Sequence, residues 1–141
     1  MDDEQRAKLA GELRRDEAVK LKLYKCTAGK ISIGVGRNLE DRGITRDEAE
    51  YLLSNDLSET FTNLDRACPW WKKLTPQQQR GLANMCFNLG LGKLLGFRQM
   101  LAALERGDGR AAADHALASL WAKQVGERAQ RIARLFRGEA S

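Results

Sequence analysis

The chain of 141 residues is 43% hydrophobic and 30% charged, and its formal net charge is +5. This size and composition are typical of one globular domain with its own hydrophobic core. No apolar run approaches the roughly 18 to 20 residues that span a membrane, so we expect no stable membrane insertion. The first fifteen residues lack the basic and apolar regions of a secretory signal, which predicts synthesis and folding in a cytosol.

The cysteines and the histidine give no sign of a metal site. Cys26, Cys68 and Cys86 are an odd set without CxxC spacing, which predicts free thiols. His115 lies in an Ala-rich helical stretch without a ligand-type neighbour at suitable spacing, and we interpret it as a surface or edge histidine. We therefore expect no metal and no cofactor. The positive charge favours a polyanionic partner, which by charge alone can be nucleic acid, a membrane surface or a cell wall.

The first helix is predicted from about Asp3 to Glu17. Its apolar residues Leu9 and Leu13 are four positions apart, and one further step of four reaches Glu17. The spacing predicts that Glu17 ends the helix on its buried face. Burial and the neighbouring carbonyl groups would both disfavour the charged carboxylate there, so that Glu17 could remain a proton donor near neutral pH.

A β-hairpin is predicted next. Residues 20–25 alternate in polarity, residues 27–29 offer a turn, and residues 30–35 alternate again. Period two predicts that Ser32 faces a cleft while its apolar neighbours, Ile31, Ile33 and Val35, pack inward. The glycines that follow, Gly34 and Gly36, indicate a close approach of backbone or ligand.

The remaining sequence predicts helices. Capping boxes at Thr45–Glu48 and Thr75–Gln78 each open a helix, and three amphipathic segments follow them. The fold class is α+β and predominantly helical. We expect a single domain over residues 1–141, made of a small β lobe (18–44), a long connecting helix (45–67) and a helical lobe (68–141), joined by the N-terminal helix (1–17).

Glu17, Cys26 and Ser32 are separated by eight and five residues. This spacing, with the hairpin around it, resembles the phage-type lysozymes of glycoside hydrolase family 24, whose catalytic set is Glu, Asp and Thr. Other segments look like family landmarks in family order: 34–36, 43–50, 84–90, 96–97, Trp121 and 127–131. The resemblance implies a cleft between two lobes and hydrolysis of the β-1,4 bond between N-acetylmuramic acid and N-acetylglucosamine in peptidoglycan.

The resemblance also implies residue roles. Glu17 would be the general acid, and Cys26 and Ser32 hold the positions that stabilise the oxocarbenium-like centre and position water. Arg128 matches the arginine that the family places beside the catalytic glutamate. Family register further implies substrate contact or support, with helix capping and packing as the alternative, for four residues: Asn84, Phe87, Asn88 and Gln124.

Cys26 departs from the family because a thiol replaces the second carboxylate. An unperturbed thiol is mostly uncharged at neutral pH, but the nearby Lys25 and Lys30 can favour a thiolate. Three interpretations stay open: a working substitute, an intact fold with little activity that binds the cell wall, and a lytic transglycosylase that uses Glu17 alone.

Arg37 is a second departure, because the family often has histidine at this position. An ion pair between Arg37 and Asp56 is predicted to tie the small lobe to the connecting helix.

The leading functional hypothesis is an endolysin that acts as a monomer on bacterial peptidoglycan. It would wait in the host cytoplasm until a membrane pore releases it to the periplasmic cell wall. A nucleic-acid binder is disfavoured, because the basic residues are interspersed with acids and no recognition motif is present.

Overall fold

The structure is a computed structural model that describes residues 1–139. The chain is α+β and predominantly helical, as predicted. It divides into two compact units, the N-terminal unit (Met1–Tyr51) and the helical unit (Leu52–Ser141). Within the described residues, no helix is both long and apolar enough to cross a membrane. The single-domain organisation stays a prediction.

The elements of the N-terminal unit follow the sequence pattern closely. Their bounds are α1 (Asp3–Glu17), β1 (Lys20–Lys25), β2 (Ile31–Gly34), β3 (Arg37–Asn38) and α2 (Leu39–Arg42), followed by the first turns of α3 (Arg46–Ala67). The three strands form an antiparallel sheet in the order β1-β2-β3. The predicted hairpin is therefore confirmed, and a short third strand extends it.

The side-chain directions predicted for this unit are wrong in two places. Helix α1 buries no residue, and Leu9 and Leu13 are 40% and 43% exposed, so the spacing of four does not mark a buried stripe. Glu17 is likewise exposed. In β2 it is Ser32 that is buried, at 1% exposure, whereas Ile31 is exposed. The residues of β2 do alternate between two faces, but the buried face carries Ser32 and not Ile31.

The helical unit holds the hydrophobic core. Its further elements are a 3₁₀ turn (Pro69–Lys73), α4 (Pro76–Leu89), α5 (Leu91–Leu94), α6 (Arg98–Glu105), α7 (Gly109–Leu117), α8 (Leu120–Val125) and α9 (Glu127–Arg137). The core cluster runs from Leu64 to Phe136, and helices α4, α6, α7 and α9 supply most of it. Apolar residues at helical spacing explain this, since each of these helices turns one face inward.

Both predicted capping boxes are confirmed. At α4, the Thr75 hydroxyl accepts from the amide of Gln78, whose side chain accepts from the Thr75 amide. At α3, the same reciprocal pair joins Thr45 and Glu48 at 3.1 and 2.8 Å. Each box satisfies two amide groups that the helix itself leaves without a partner.

Candidate active site

Glu17 is the last residue of α1, and the backbone turns sharply directly after it. Ala18, the C-cap residue, has φ 61° and ψ 163°. This region is occupied almost only by glycine, because the Cβ of other residues is crowded there. Among the described residues, Ala18 is the one non-glycine residue with positive φ. The chain therefore leaves the candidate acid through a strained junction.

The carboxyl group of Glu17 lies against Gly36, in the loop between β2 and β3. A Cβ added to Gly36 would lie 3.0 Å from Oε2 and 3.1 Å from Cδ of Glu17. Gly36 also has φ +67°, which favours glycine independently of the contact. A close approach is thus found at Gly36, although a side chain makes it and not the predicted backbone or ligand. A Cβ on Gly34, in contrast, would meet no atom within 4 Å.

Cys26 lies at the start of the β1–β2 turn. Its amide donates to the Lys30 carbonyl at 2.9 Å, and its carbonyl accepts from Gly29 at 2.8 Å. Hydrogen bonding from the backbone of Lys30, and then of Ala28, lowers the pKa of the Cys26 thiol, against an opposing effect of partial burial. The turn therefore favours the thiolate through backbone groups.

Ser32 reaches the same turn from β2. Its hydroxyl donates to the Lys30 carbonyl at 3.1 Å, and hydrogen bonding from this hydroxyl also lowers the pKa of Cys26. The structure thus brings Cys26 and Ser32 together at this turn. Ser32 is buried, however, and does not face a cleft.

Arg37 makes a two-pronged ion pair with Glu48. Its two terminal nitrogens donate to the two carboxylate oxygens at 2.9 and 2.8 Å, and one of them also donates to the Gly43 carbonyl at 3.2 Å. This geometry corrects the predicted pairing of Arg37 with Asp56. The Arg37 guanidinium, followed by the Thr45 amide, lowers the pKa of Glu48 to about 2.

Three of the predicted support residues line one cavity of the helical unit. Asn84, Phe87 and Arg128 border an open space of about 560 Å³ whose other walls are largely apolar. The Nε of Arg128 donates to Oδ1 of Asn84 at 2.9 Å. The amide oxygen therefore orients the guanidinium. Part of the floor is a stacked aromatic pair, Phe61 and Trp71, with ring centroids 5.9 Å apart.

The two other predicted support residues lie elsewhere. Asn88 accepts from the indole nitrogen of the buried Trp121 at 2.8 Å, which gives it a packing role. Gln124 is exposed on α8 and is not among the residues that line this cavity. Of the described residues, no group of three or more His, Cys, Asp or Glu side chains is arranged to hold a metal ion.

Comparison with known proteins gives the family. A model described as phage lysozyme matches residues 14–137, which is most of the chain. The chain belongs to the phage lysozyme family. The family predicted from the spacing of Glu17, Cys26 and Ser32 together with the landmark segments that follow them is therefore confirmed.

The family relatives differ in how much of their length the chain covers. Identity to the pre-baseplate central spike protein Gp5 of Enterobacteria phage T4 is 29%, over 93% of the chain but only 28% of that protein. Probable T4-type lysozyme 1 of Dictyostelium discoideum is 26% identical, over 85% of the chain and 88% of the relative. An endolysin of Acyrthosiphon pisum secondary endosymbiont phage 1 is 30% identical over 56% of the chain.

Two features of the site were missed from sequence. The strain at Ala18 has no sequence signal, because alanine is ordinary at a helix end. The double role of Glu48, as cap and as Arg37 partner, could have been inferred in part. Its capping box placed the carboxylate at the first turn of α3, but the position of Arg37 depends on the fold of the loop.

Proposed function

We propose that this chain hydrolyses the β-1,4 bond between N-acetylmuramic acid and N-acetylglucosamine in bacterial peptidoglycan. Membership of the phage lysozyme family and the names of the lysozyme and endolysin relatives support this substrate class. The observation that carries the chemistry is the turn around Cys26, whose backbone lowers the pKa of the thiol. The same turn thus favours ionisation of the group that holds the position of the second carboxylate in this family.

The proposed mechanism divides two tasks between Glu17 and Cys26. Glycoside cleavage needs an acid to protonate the leaving oxygen and a second group for the oxocarbenium-like centre. Glu17 donates the proton. Cys26, as thiolate, stabilises the positive charge and orients water, or attacks as a nucleophile. Ser32 is buried and bonded to the Lys30 carbonyl, so we assign it to positioning Cys26 rather than to contact with the sugar.

Lysis of permeabilised Gram-negative cells, followed as loss of turbidity, tests the enzyme. We expect lysis by the parent and a loss of at least about 100-fold in Glu17→Gln, the usual size for removal of a general acid. An inactive wall-binding protein predicts no lysis by the parent and lysis only after Cys26→Asp. Equal lysis by the parent and Glu17→Gln would overturn the proposal.

The pH profile separates a working thiolate from a neutral thiol. If Cys26 acts as an anion, activity rises with pH through its lowered pKa, because the thiolate fraction rises. Cys26→Asp should keep activity at lower pH, since a carboxyl group ionises near pH 4. Matching profiles for the parent and Cys26→Asp would contradict a catalytic thiolate.

The products identify the mechanism. Mass spectrometry of released muropeptides should find reducing N-acetylmuramic acid ends, because water is the proposed acceptor. Anhydro ends would support the transglycosylase alternative, in which the sugar's own hydroxyl attacks and Glu17 acts alone.

Glycan contact on the helical unit is proposed for the cavity bordered by Asn84, Phe87 and Arg128. Phe87 is 41% exposed and offers an apolar face, while Asn84 orients the guanidinium of Arg128. Phe87→Ala should raise KM severalfold with little change in kcat. Asn88→Ala should instead lower stability, because the indole of Trp121 loses its acceptor. For Gln124 we keep the prediction of glycan contact from the exposed face of α8.

Two biological settings fit this chemistry. As an endolysin, the protein would act as a monomer after a membrane pore releases it from the host cytoplasm. The spike-protein relative favours a second setting, in which the same activity belongs to a phage particle. Detection of the protein in purified particles would favour the second setting, and its presence only in the lysate the first.

A further inference from the structure

We propose that Gly36 is a positioning residue for Glu17, and that the Arg37–Glu48 ion pair holds it in place. The inference rests on the proposed role of Glu17 as the acid. Gly36 presents a bare Cα to the carboxyl group of Glu17, where a Cβ would lie 3.0 Å from Oε2 and 3.2 Å from Cγ. These distances are shorter than ordinary van der Waals contacts, so any side chain at residue 36 must displace the carboxyl group of Glu17.

The loop that carries Gly36 is fixed on both sides. Ile33 pairs with Arg37 across the loop in the β2–β3 ladder. Directly after Gly36, the guanidinium of Arg37 donates to both oxygens of Glu48 at 2.9 and 2.8 Å. Two parallel hydrogen bonds define the orientation of the pair as well as its distance. The loop is therefore attached to the first turn of α3.

Glu48 is itself held by the start of its helix. One of its oxygens accepts from the Thr45 amide at 2.8 Å while it also accepts from Arg37. A continuous series of contacts thus runs from Thr45 through Glu48, Arg37 and Gly36 to Glu17. All of these residues lie in the N-terminal unit. Glu17 is an exposed residue, and this series sets the position of its carboxyl group.

The last residue of β2 offers a matched control. Gly34 has φ +72° and Gly36 has φ +67°, so alanine strains the backbone at both positions. Only at Gly36 does the new Cβ meet Glu17. Gly34→Ala therefore measures the effect of the strain, and Gly36→Ala measures the strain together with displacement of the acid.

The experiment compares lysis kinetics and the ¹³C carboxyl chemical shift of Glu17 in the two variants at one pH. We expect similar Tm values for both, and a kcat about tenfold lower in Gly36→Ala alone, with KM within about twofold, because small displacements of a catalytic group are costly. The ¹³C carboxyl chemical shift of Glu17 should differ from that of the parent in Gly36→Ala and match it in Gly34→Ala. Equal loss of kcat in both variants, or an unchanged Glu17 chemical shift in Gly36→Ala, would overturn the inference.

A second variant covers the case in which Gly36→Ala does not fold. Arg37→Gln releases the loop without adding an atom near Glu17, and should also lower kcat and alter the ¹³C carboxyl chemical shift of Glu17. If both are unchanged, the inference fails. The proposed function fails by a different result, namely full activity of Glu17→Gln, whereas the chemical shifts report the contact whether or not Glu17 is the acid.

Discussion

The two units of the molecule differ in their net charge and in how many of their side chains are buried. The N-terminal unit contains 11 Lys and Arg and 11 Asp and Glu residues, whereas the helical unit contains 13 and 8, so the whole net charge of +5 belongs to the helical unit. Of residues 1–51, Ser32 alone is buried, while the core cluster lies entirely between Leu64 and Phe136. One unit is organised by hydrogen bonds and backbone geometry, and the other by apolar packing.

This difference has a consequence for function. The candidate acid, the candidate second group and their positioning contacts all belong to the unit without an apolar core. Backbone amides and a two-pronged ion pair define positions more narrowly than exposed apolar contacts do. The helical unit supplies stability and the positive charge that favours approach to an anionic wall. Substitutions should therefore affect stability and activity separately in the two units.

The largest expected effect on stability is in the helical core. Phe136 is fully buried, and Phe136→Ala should lower the free energy of unfolding by about 3–5 kcal/mol through the lost burial and the cavity. Leu21→Ala, at a side chain that is 85% exposed, should change it by less than about 0.5 kcal/mol. Urea unfolding measures both. A comparable loss in the two variants would contradict the contrast between the units.

The next largest expected difference is in the rate at which the three thiols react with an alkylating reagent. Backbone hydrogen bonds lower the pKa of Cys26, whereas burial raises the pKa of Cys68 and of Cys86. Since the thiolate is the reactive form, iodoacetamide should modify Cys26 on the order of tenfold faster than either of the others. Intact-mass spectrometry should show one added group per chain, and peptide mapping should place it on Cys26.

The same reaction tests the proposed mechanism. Alkylation should abolish lysis by the parent and leave the lysis by Cys26→Asp unchanged. If the first group is added to Cys68 or Cys86, the described burial is wrong. If complete modification of Cys26 leaves lysis unchanged, the thiol has no catalytic role.

Buried faces were also predicted more accurately from sequence in the helical unit than in the N-terminal unit. Helix starts at Thr45 and Thr75 followed from local chemistry, because a capping box needs only residues three positions apart. Core faces of α4, α6 and α9 followed from periodicity, since each helix has one apolar stripe. The faces of α1 and β2 were predicted wrongly because exposed leucines and a buried serine reverse the usual association of hydrophobicity with burial.

The candidate site was predictable in its parts but not in its contacts. The alternating residues on either side of the turn predicted the hairpin, which places Cys26 and Ser32 at one turn. The partner of Arg37 was not predictable, since the fold of the loop decides which carboxylate its long side chain meets. The contact of Glu17 with Gly36 depends on the backbone path through Ala18, which only the three-dimensional structure defines.

The capping boxes should respond differently to pH. Glu48 has a folded-state pKa of about 2, below its ordinary value of 4.5, so its stabilisation is present above about pH 4.5 and is lost as the pH falls towards 2. Gln78, in the corresponding position of α4, does not titrate. Glu48→Gln keeps a capping side chain but removes the ion pair with Arg37, and should lower Tm at pH 7.

A pH series provides the control for this substitution. The difference in Tm between the parent and Glu48→Gln should shrink as the pH approaches 2, because protonated Glu48 no longer attracts Arg37. A difference that stays constant from pH 7 to pH 2 would show that the charge of Glu48 does not contribute. The effect should be smaller than that of Phe136→Ala, because both partners are partly exposed and solvent screens the pair.

A gain of stability is expected at Ala18. Its φ of 61° with ψ of 163° costs alanine about 1–3 kcal/mol, whereas glycine adopts this conformation freely. Glycine also makes the unfolded chain more flexible, which offsets about 0.4–1 kcal/mol. Ala18→Gly should therefore raise the free energy of unfolding by up to about 2.6 kcal/mol. The matched control is Ala7→Gly, within the same helix, which should lower it by about 0.5–1 kcal/mol. Because the two changes are chemically identical, opposite shifts of the urea midpoint isolate the backbone strain beside Glu17. Shifts of the same sign would show that the junction after α1 is unstrained.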